Sequence, residues 1–544
     1  MPAGRSPRIQ EGWILVVGAL ELLLFLGEPD IHGPHEARVA ATARDMAEGG
    51  DPIVPHLNGK PRLEKPPLAY WLGAAAMAMT GSASSAAARL PAALCGILAL
   101  LALMDLGRRW LGPRGGAACG MVWVGTFFIA GEYRKAMADP YLACSVVIAV
   151  RQWVAHLDAS RDGARGRAVL EMVLFGLAAG AGALAKGPPV LVHLAIALVP
   201  YHVIARRRAP SLPALALGAG VFLAVALPWP SVVLSREPGA LSLWISESLG
   251  QVTSERKSRA AWYYLPQLLY IALFWTPFLI DAAWALGVSG SGEDRRRALW
   301  PLAWIGGAVL FFSFPAMKKN TYLLPVAPAL ALATGAGLVQ VLELRPRKAQ
   351  IVLLRIQALV ACAALPSLLV VVIDLELGAG APIPAALWVL ALAVALVLPA
   401  LLRSVLSGPA RPDRSPWTAL GALALALALL AHLETAWLEP LHERPRSPAP
   451  FAQAVLAAAG EETLHAVGGV NEALLFHLGR RVEIWSSPAD IPRGFRGYAL
   501  LRPGELEALQ RPAETIVIDG ASDVADDARL SLVRLGGTGG TLKR

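Results

Sequence analysis

Long apolar runs separated by short charged connections recur through most of this chain, and nothing constrains its fold more. A helix that crosses a bilayer needs about 20 consecutive, largely apolar residues, since each adds about 1.5 Å of length. Runs of this kind occupy 12–27, 87–107, 114–131, 138–156, 169–185, 188–204, 213–234, 264–286, 299–314, 322–342, 352–374, 384–402 and 416–433, about thirteen in all. A water-soluble domain has no core large enough to hide them, and a chain with 55% hydrophobic and 16% charged residues does not belong to that class. The expectation is an all-α polytopic membrane protein.

The basic residues test the count, because Lys and Arg collect in the loops that stay in the cytoplasm. Arg5/Arg8, Arg108/Arg109/Arg114, Arg161/Arg165/Arg167, Arg206/Arg207/Arg208, Arg295/Arg296/Arg297, Arg345/Arg347/Lys348 and Arg403/Arg411/Arg414 fall in every second connection. The net charge of +9 therefore reads as membrane orientation and not as a nucleic-acid surface. Cys95, Cys119, Cys144 and Cys362 lie inside apolar runs without CxxC spacing, as packing residues do. No small-residue cleavage site follows the first run, so it is expected to stay as a helix with a cytoplasmic N-terminus.

Residues 67–80 are apolar but too short to span, and counting them would put the Arg108 and Arg206 clusters on opposite sides. They are therefore laid along the outer interface, which makes 28–86 an outward cap of short helices. An odd number of spans places everything after about 434 outside the cytoplasm as well. Pro440, Pro445, Pro448 and Pro450 mark a linker, after which apolar runs shrink to strand length at 464–470, 481–487, 498–502, 514–520 and 530–535. Helices are expected near 449–459, 471–478 and 503–510. The chain thus divides into a membrane domain, 1–437, and a small extracytoplasmic α/β domain, 438–544. Val467-Gly468-Gly469-Val470 lacks GxGxxG spacing, and no nucleotide cofactor is expected.

Topology brings four ionisable clusters to the outer face. They are the cap, with His35, Glu36, Arg38, Glu64 and Lys65; Glu132 to Asp139, with Arg134; Lys186-Gly187-Pro188; and Lys318 to Tyr322. Cations there run against the positive-inside rule, so an anion is the economical reason for them, and a lipid phosphate sits at that depth. Ionisable groups at a membrane edge are commonly functional. Beside such cations, Asp139 or Glu36 can accept a proton from an acceptor hydroxyl or hold a divalent cation, while Lys and Arg stabilise a leaving phosphate. Transfer of a sugar from a lipid phosphate needs that combination. A flippase for lipid-linked saccharides is the alternative, and it would spread ionisable groups through the midplane of several spans.

The run PHEARVAATARDMAEGGDPIVPHLNGKPRLEKPPLAYW, 34–71, resembles the first outer loop of the GT-C membrane glycosyltransferases related to the lipid A aminoarabinose transferase and to protein O-mannosyltransferases. Arg-x-x-x-x-Asp at 134–139, Lys-Gly-Pro at 186–188, Trp-Tyr-Tyr at 262–264 and Lys-x-x-x-Tyr-x-x-Pro at 318–325 follow in family order, so the likeness covers about 10–340. The resemblance implies an inner-membrane enzyme that takes a sugar from a polyprenyl phosphate and passes it, with inversion, to a lipid A-like lipid, a glycan or a protein. It implies Arg38 and Lys65 as donor-phosphate ligands, Lys186 and Tyr322 as further phosphate contacts, and Glu64 and Asp139 as metal or base candidates. Arg134 and Lys318 lie in the matching clusters and join the phosphate set. Two positions depart from the pattern. His35 stands where the family carries the aspartate that is its usual general-base candidate, which leaves His35, Glu36 and Asp139 as candidates. No histidine precedes Trp262 within Glu255 to Ser258, which leaves a divalent metal open.

Overall fold

The computed structural model describes residues 7–253, 258–284, 292–344, 348–378, 388, 391–392, 394–395, 398–400, 402–403, 416–443, 446–509, 513–518 and 529–536. The span expected at 384–402 falls largely outside them. Eight helices among the described residues are long and apolar enough to cross a membrane, and the chain is a multi-pass integral membrane protein. It separates into two compact units. One comprises Met1–Leu24, Leu63–Leu68 and Ala92–Trp437; the other comprises Phe25–Arg62, Ala69–Pro91 and Leu438–Arg544.

The first unit is a helix bundle whose close contacts are made by small residues. At Gly176 and Gly180, an added Cβ would lie 2.6 Å from the Gly218 carbonyl oxygen and 2.6 Å from the Val225 Cβ, so Arg165–Lys186 and Leu212–Ala226 touch almost backbone to backbone. Several expected spans are interrupted. The 114–131 run forms Gly115–Val124 and Phe127–Tyr133, and the Gly125 carbonyl freed at the break accepts from Trp275 Nε1 at 3.1 Å. The 264–286 run is likewise divided, into Tyr264–Ala272, Leu273–Trp275 and Thr276–Asp281.

One helical hairpin positions the site described below. Ala138–Arg161 and Arg165–Lys186 are antiparallel neighbours joined by a turn at 162–164, so the start of the first lies beside the end of the second. Asp139 in a first turn and Lys186 in a last turn both complement the helix dipoles. Gly187, at φ +80°, ends the second helix in a conformation open mainly to glycine. Pro189 then opens the next helix, Pro189–Ala205, where its missing N–H costs nothing.

The second unit holds a five-stranded mixed sheet: β1 Leu464–Val467, β2 Val482–Trp485, β3 Gly497–Leu501, β4 Ala513–Ile518 and β5 Ser531–Leu535. Its order is β2-β1-β3-β5-β4; β1 is parallel to β2 and β3, and β5 is antiparallel to β3 and β4. Side chains alternate between faces, as strand geometry requires. Leu464, Ala466, Tyr498, Leu500 and Leu532 meet the helices Ala449–Ala459 and Glu472–Leu478, whereas Val467, Ala499, Leu501 and Val533 pack with Ile491, Trp485 and Phe495.

The cap segment is built into this unit. Its helix Pro34–Ala47 packs on Glu472–Leu478, and Arg44 Nη1 donates to the Leu475 and Phe476 carbonyls at 2.9 and 2.5 Å, a cation on a helix C-terminus. Asn58 and Gly59 both have positive φ and join His56–Leu57 to Lys60–Pro61 as a two-residue hairpin, the geometry that Asn-Gly favours. From that turn the Asn58 amide bonds both ways with the Val482 backbone, at 2.8 and 2.9 Å, pairing groups of the edge strand β2.

Candidate functional site

In the first unit Lys186 Nζ donates to Asp139 Oδ1 at 2.5 Å and lies 4.8 Å from the centre of the Tyr322 ring, a cation–π contact. Both members of the Lys186–Asp139 pair are largely buried, with side-chain exposures of 14% and 9%. Next to them opens a cavity of about 410 Å³, lined by Glu64, Lys65, Lys186, Trp229, Trp244 and Glu247 among others. That volume lies within the usual range of about 300–1,000 Å³ for small-molecule sites.

Lys65 is the unusual member of this group. Among the described residues its ammonium makes no hydrogen bond or ion pair, although it is half-buried. Burial pushes its pKa below the ordinary 10.5, the Lys186 ammonium pushes in the same direction, and Glu247 and Asp139 oppose them without restoring it. A cation kept uncomfortable by burial and by a second cation is relieved when an anion arrives.

The remaining expected residues are placed as follows. Tyr322 joins the site through its ring. Lys318 is buried, and its Nζ donates to the Arg259 and Pro315 carbonyls at 3.0 and 2.7 Å, tying the chain near 259 to the turn before 318. Arg134 donates to the Glu21 and Leu24 carbonyls, both at 2.8 Å, and so covers the C-terminal end of Pro7–Leu23. His35, Glu36 and Arg38 belong to the second unit. There Glu36 is buried and held bidentately by Arg89, at 2.8 Å from Nε and 3.0 Å from Nη2, while Arg89 also donates to the Leu26 and Pro29 carbonyls. Arg38 Nε donates to Glu472 at 2.7 Å, and His35 is exposed at the start of its helix.

A divalent ion suits this donor set poorly. Among the described residues no three His, Cys, Asp or Glu side chains converge to hold a metal, and one Asp139 oxygen already binds Lys186.

Three lining residues had no part in the sequence reading: Trp229, Trp244 and Glu247. Trp244 and Glu247 lie three apart on Ala240–Thr253 and therefore share a face. Trp244 Nε1 donates to the Leu63 carbonyl at 2.7 Å, pinning that helix against the segment that carries Glu64 and Lys65. The i, i+3 spacing was visible in the sequence, but the contact across to Leu63 was not.

The structure is thus that of a multi-pass helix bundle with a cavity that Glu64, Lys65, Lys186 and Glu247 line. Residues 64–231 match the family model for dolichyl-phosphate-mannose-protein mannosyltransferase. The undecaprenyl phosphate-alpha-4-amino-4-deoxy-L-arabinose arabinosyl transferase of Pseudomonas aeruginosa (strain UCBPP-PA14) is 33% identical over 346 residues, 61% of this chain and 60% of the relative. Its namesake from Aeromonas salmonicida (strain A449) is 30% identical over 331 residues, 59% of this chain and 58% of that one. The match thus spans about 60% of the length of these curated relatives. The crystal structure of ArnT from Cupriavidus metallidurans bound to undecaprenyl phosphate shares the fold at a TM-score of 0.74, with 22% identity over 96% of this chain and 98% of that one. The chain therefore shares the fold of that solved structure, and its residues 64–231 are similar to that mannosyltransferase family.

Proposed function

We propose that this protein moves a sugar from a polyprenyl phosphate to a hydroxyl on a lipid A-like lipid, a glycan or a protein, with inversion, at the outer face of the bacterial inner membrane. One observation carries the reading: the unpaired Lys65 ammonium and Lys186 line the same cavity, with Asp139 bonded to Lys186. The relatives' names, which specify undecaprenyl phosphate as the carrier of their sugar, support it. The alternation of basic loops supports thirteen spans, a cytoplasmic N-terminus and extracytoplasmic positions for 28–86 and 438–544.

The donor phosphodiester sits between the Lys65 and Lys186 ammonium groups. The acceptor oxygen attacks the anomeric carbon from the face opposite the phosphate, and the bond from that carbon to the phosphate oxygen breaks. The departing polyprenyl phosphate takes the bonding pair and gains one negative charge. Two lysines already in place stabilise that charge more in the transition state than in the ground state. The acceptor proton passes to Asp139. Lys186 turns from Asp139 toward the phosphate as the donor binds, which frees a carboxylate oxygen at the moment a base is needed. No step of this scheme passes through a metal.

The test is transfer by purified protein from a polyprenyl-phosphate sugar. Lys65→Ala and Asp139→Asn should each lower turnover by about 10²–10³-fold while the protein still accumulates in the membrane. Normal turnover in both variants would sink the site assignment.

A further inference from the structure

One buried ionisable group behind the cavity wall has no part in the scheme above. His193 lies on the helix Pro189–Ala205, is 1% exposed, and its Nδ1 has no hydrogen-bond partner among the described residues. Val190, three positions earlier on the same face, lines the cavity, so His193 stands about one turn behind that wall. Its ring centre is 4.9 Å from that of Phe312, which is 5.7 Å from that of Tyr322, the ring that the Lys186 ammonium faces. Lys186 and Asp139 are the ionisable groups that act on it electrostatically. An apolar side chain would fill such a place at lower cost, since an imidazole nitrogen without a partner is a net loss away from water. The orphaned nitrogen is accounted for if it finds a partner in another state of the site.

Asp139 supplies that state. Only its Oδ1 is bonded, to Lys186, and its other carboxylate oxygen makes no hydrogen bond among the described residues. Once Lys186 turns to the phosphate, a largely buried carboxylate is left with no donor to hold it. A second cation would hold it but weaken it as a base. A neutral imidazole N–H holds it without adding charge.

We infer that His193 is a positioning residue for Asp139: its Nδ1–H takes over from Lys186 as hydrogen-bond donor to the carboxylate when the phosphate is bound. No proton changes hands in this step. The inference rests on the glycosyl-transfer reading above and adds to it the group that orients the base during turnover.

The experiment measures transfer from a polyprenyl-phosphate sugar, and binding of polyprenyl phosphate, by the purified whole chain as wild type, His193→Leu, His193→Asn and His193→Gln. The two amides separate the ring nitrogens, because an Asn side-chain nitrogen falls near the place of Nδ1 and a Gln nitrogen near that of Nε2. His193→Leu should lower kcat by about tenfold to a hundredfold, the usual scale of a hydrogen bond to a charged group, with donor KM and polyprenyl phosphate affinity unchanged. His193→Asn should recover most of that loss, and His193→Gln should stay as slow as His193→Leu. In the Asp139→Asn background, His193→Leu should cost nothing more. Lowered heat resistance with kcat per folded molecule intact would mark a merely structural role and overturn the inference, as would equal kcat in His193→Asn and His193→Gln. That last ratio decides alone if His193→Leu fails to accumulate. If wild type bound polyprenyl phosphate but transferred no sugar from its glycosyl form, the transfer reading would fall and this inference with it; if wild type transferred and His193→Leu matched it, only the role of His193 would fall.

Discussion

The cavity of the membrane unit and the cap helix of the other unit both carry Lys, Arg, Asp or Glu beside apolar segments, and they use them in opposite ways. In the cap-bearing unit the charges are satisfied internally. Glu36 is gripped by Arg89, Arg38 by Glu472, and Arg44 covers helix carbonyls. The membrane unit has satisfied pairs of its own, Arg108–Glu11 and Arg151–Glu171 among them, but at its cavity Lys65 and Glu247 make no ion pair among the described residues, next to the Lys186–Asp139 pair. Paired charges hold a fold together, whereas charges left open at a cavity await something that is not part of the chain. Residue type and depth do not separate the two cases. The state of pairing does.

The sharpest way to break this comparison is at Glu36. Its replacement by Ala would strand the Arg89 guanidinium, whose side chain is only 4% exposed, at a cost of about 3–5 kcal/mol. Glu36→Ala should therefore lower the resistance of the protein to heat and protease. Any glycosyl transfer that remains should scale with the amount of folded protein. Arg38→Ala removes a more exposed pair and should cost only about 0.2–1 kcal/mol. A well-folded Glu36→Ala protein with no activity would place Glu36 in the chemistry and erase the distinction drawn here.

The pH response of the lysine site sharpens the comparison from the other side. Lys65 holds its proton less firmly than an ordinary lysine, and a bound phosphate monoester would make it hold that proton more firmly. Affinity for polyprenyl phosphate should accordingly be constant at neutral pH and fall as pH rises through the lowered Lys65 value, before the ordinary 10.5 is reached. Lys65→Arg keeps its charge throughout that range, so it should bind without the alkaline decline. Titration of binding for the two proteins decides the matter, and an identical decline in both would remove Lys65 from the phosphate site.

Much of this contrast was legible before any coordinates. The apolar runs and the alternating basic loops pointed to a multi-pass bundle, and the same bookkeeping put 134–139 and 186–188 at one membrane face, where the Lys186–Asp139 bond is found. The Asn58-Gly59 hairpin is carried by two residues that tolerate positive φ, a signal present in the sequence itself. The partners of the cap charges were not readable. Glu36 meets Arg89 across 53 positions and Arg38 meets Glu472 across 434, and neither periodicity nor composition encodes which distant side chain arrives. Glu247 was hidden for the same reason, since an exposed glutamate on an amphipathic helix looks like solvated surface until the cavity wall is seen. The helix breaks at 125–126 and 273–275 escaped because hydropathy records apolar length and not the path of the backbone.

The smallest expected effect tests whether the second unit is as fully satisfied as its pairs suggest. His477 lies at the end of Glu472–Leu478, and its Nε2 is 2.9 Å from the Ile31 carbonyl, a bond that joins the cap segment to that helix. Burial pulls the His477 pKa below the ordinary 6.5, partly offset by the Ile31 carbonyl and Asp30, while Arg44 and Arg89 add to the lowering. The folded unit therefore prefers the neutral ring, and the unfolded chain takes up a proton first as the solution is acidified. Stability should be level above about pH 6.5 and decline from there down to the folded value, by no more than about 1.4 kcal/mol per pH unit. Hydrogen exchange of the amides in 464–478, followed from about pH 8 to about pH 5 and corrected for the intrinsic rate, would report the loss. His477→Gln keeps a donor for Ile31 and cannot be protonated, so its protection should stay flat across the same window. An equal acid response in both proteins would assign the titration to another group and leave the cap joined to the sheet by contacts that do not depend on pH.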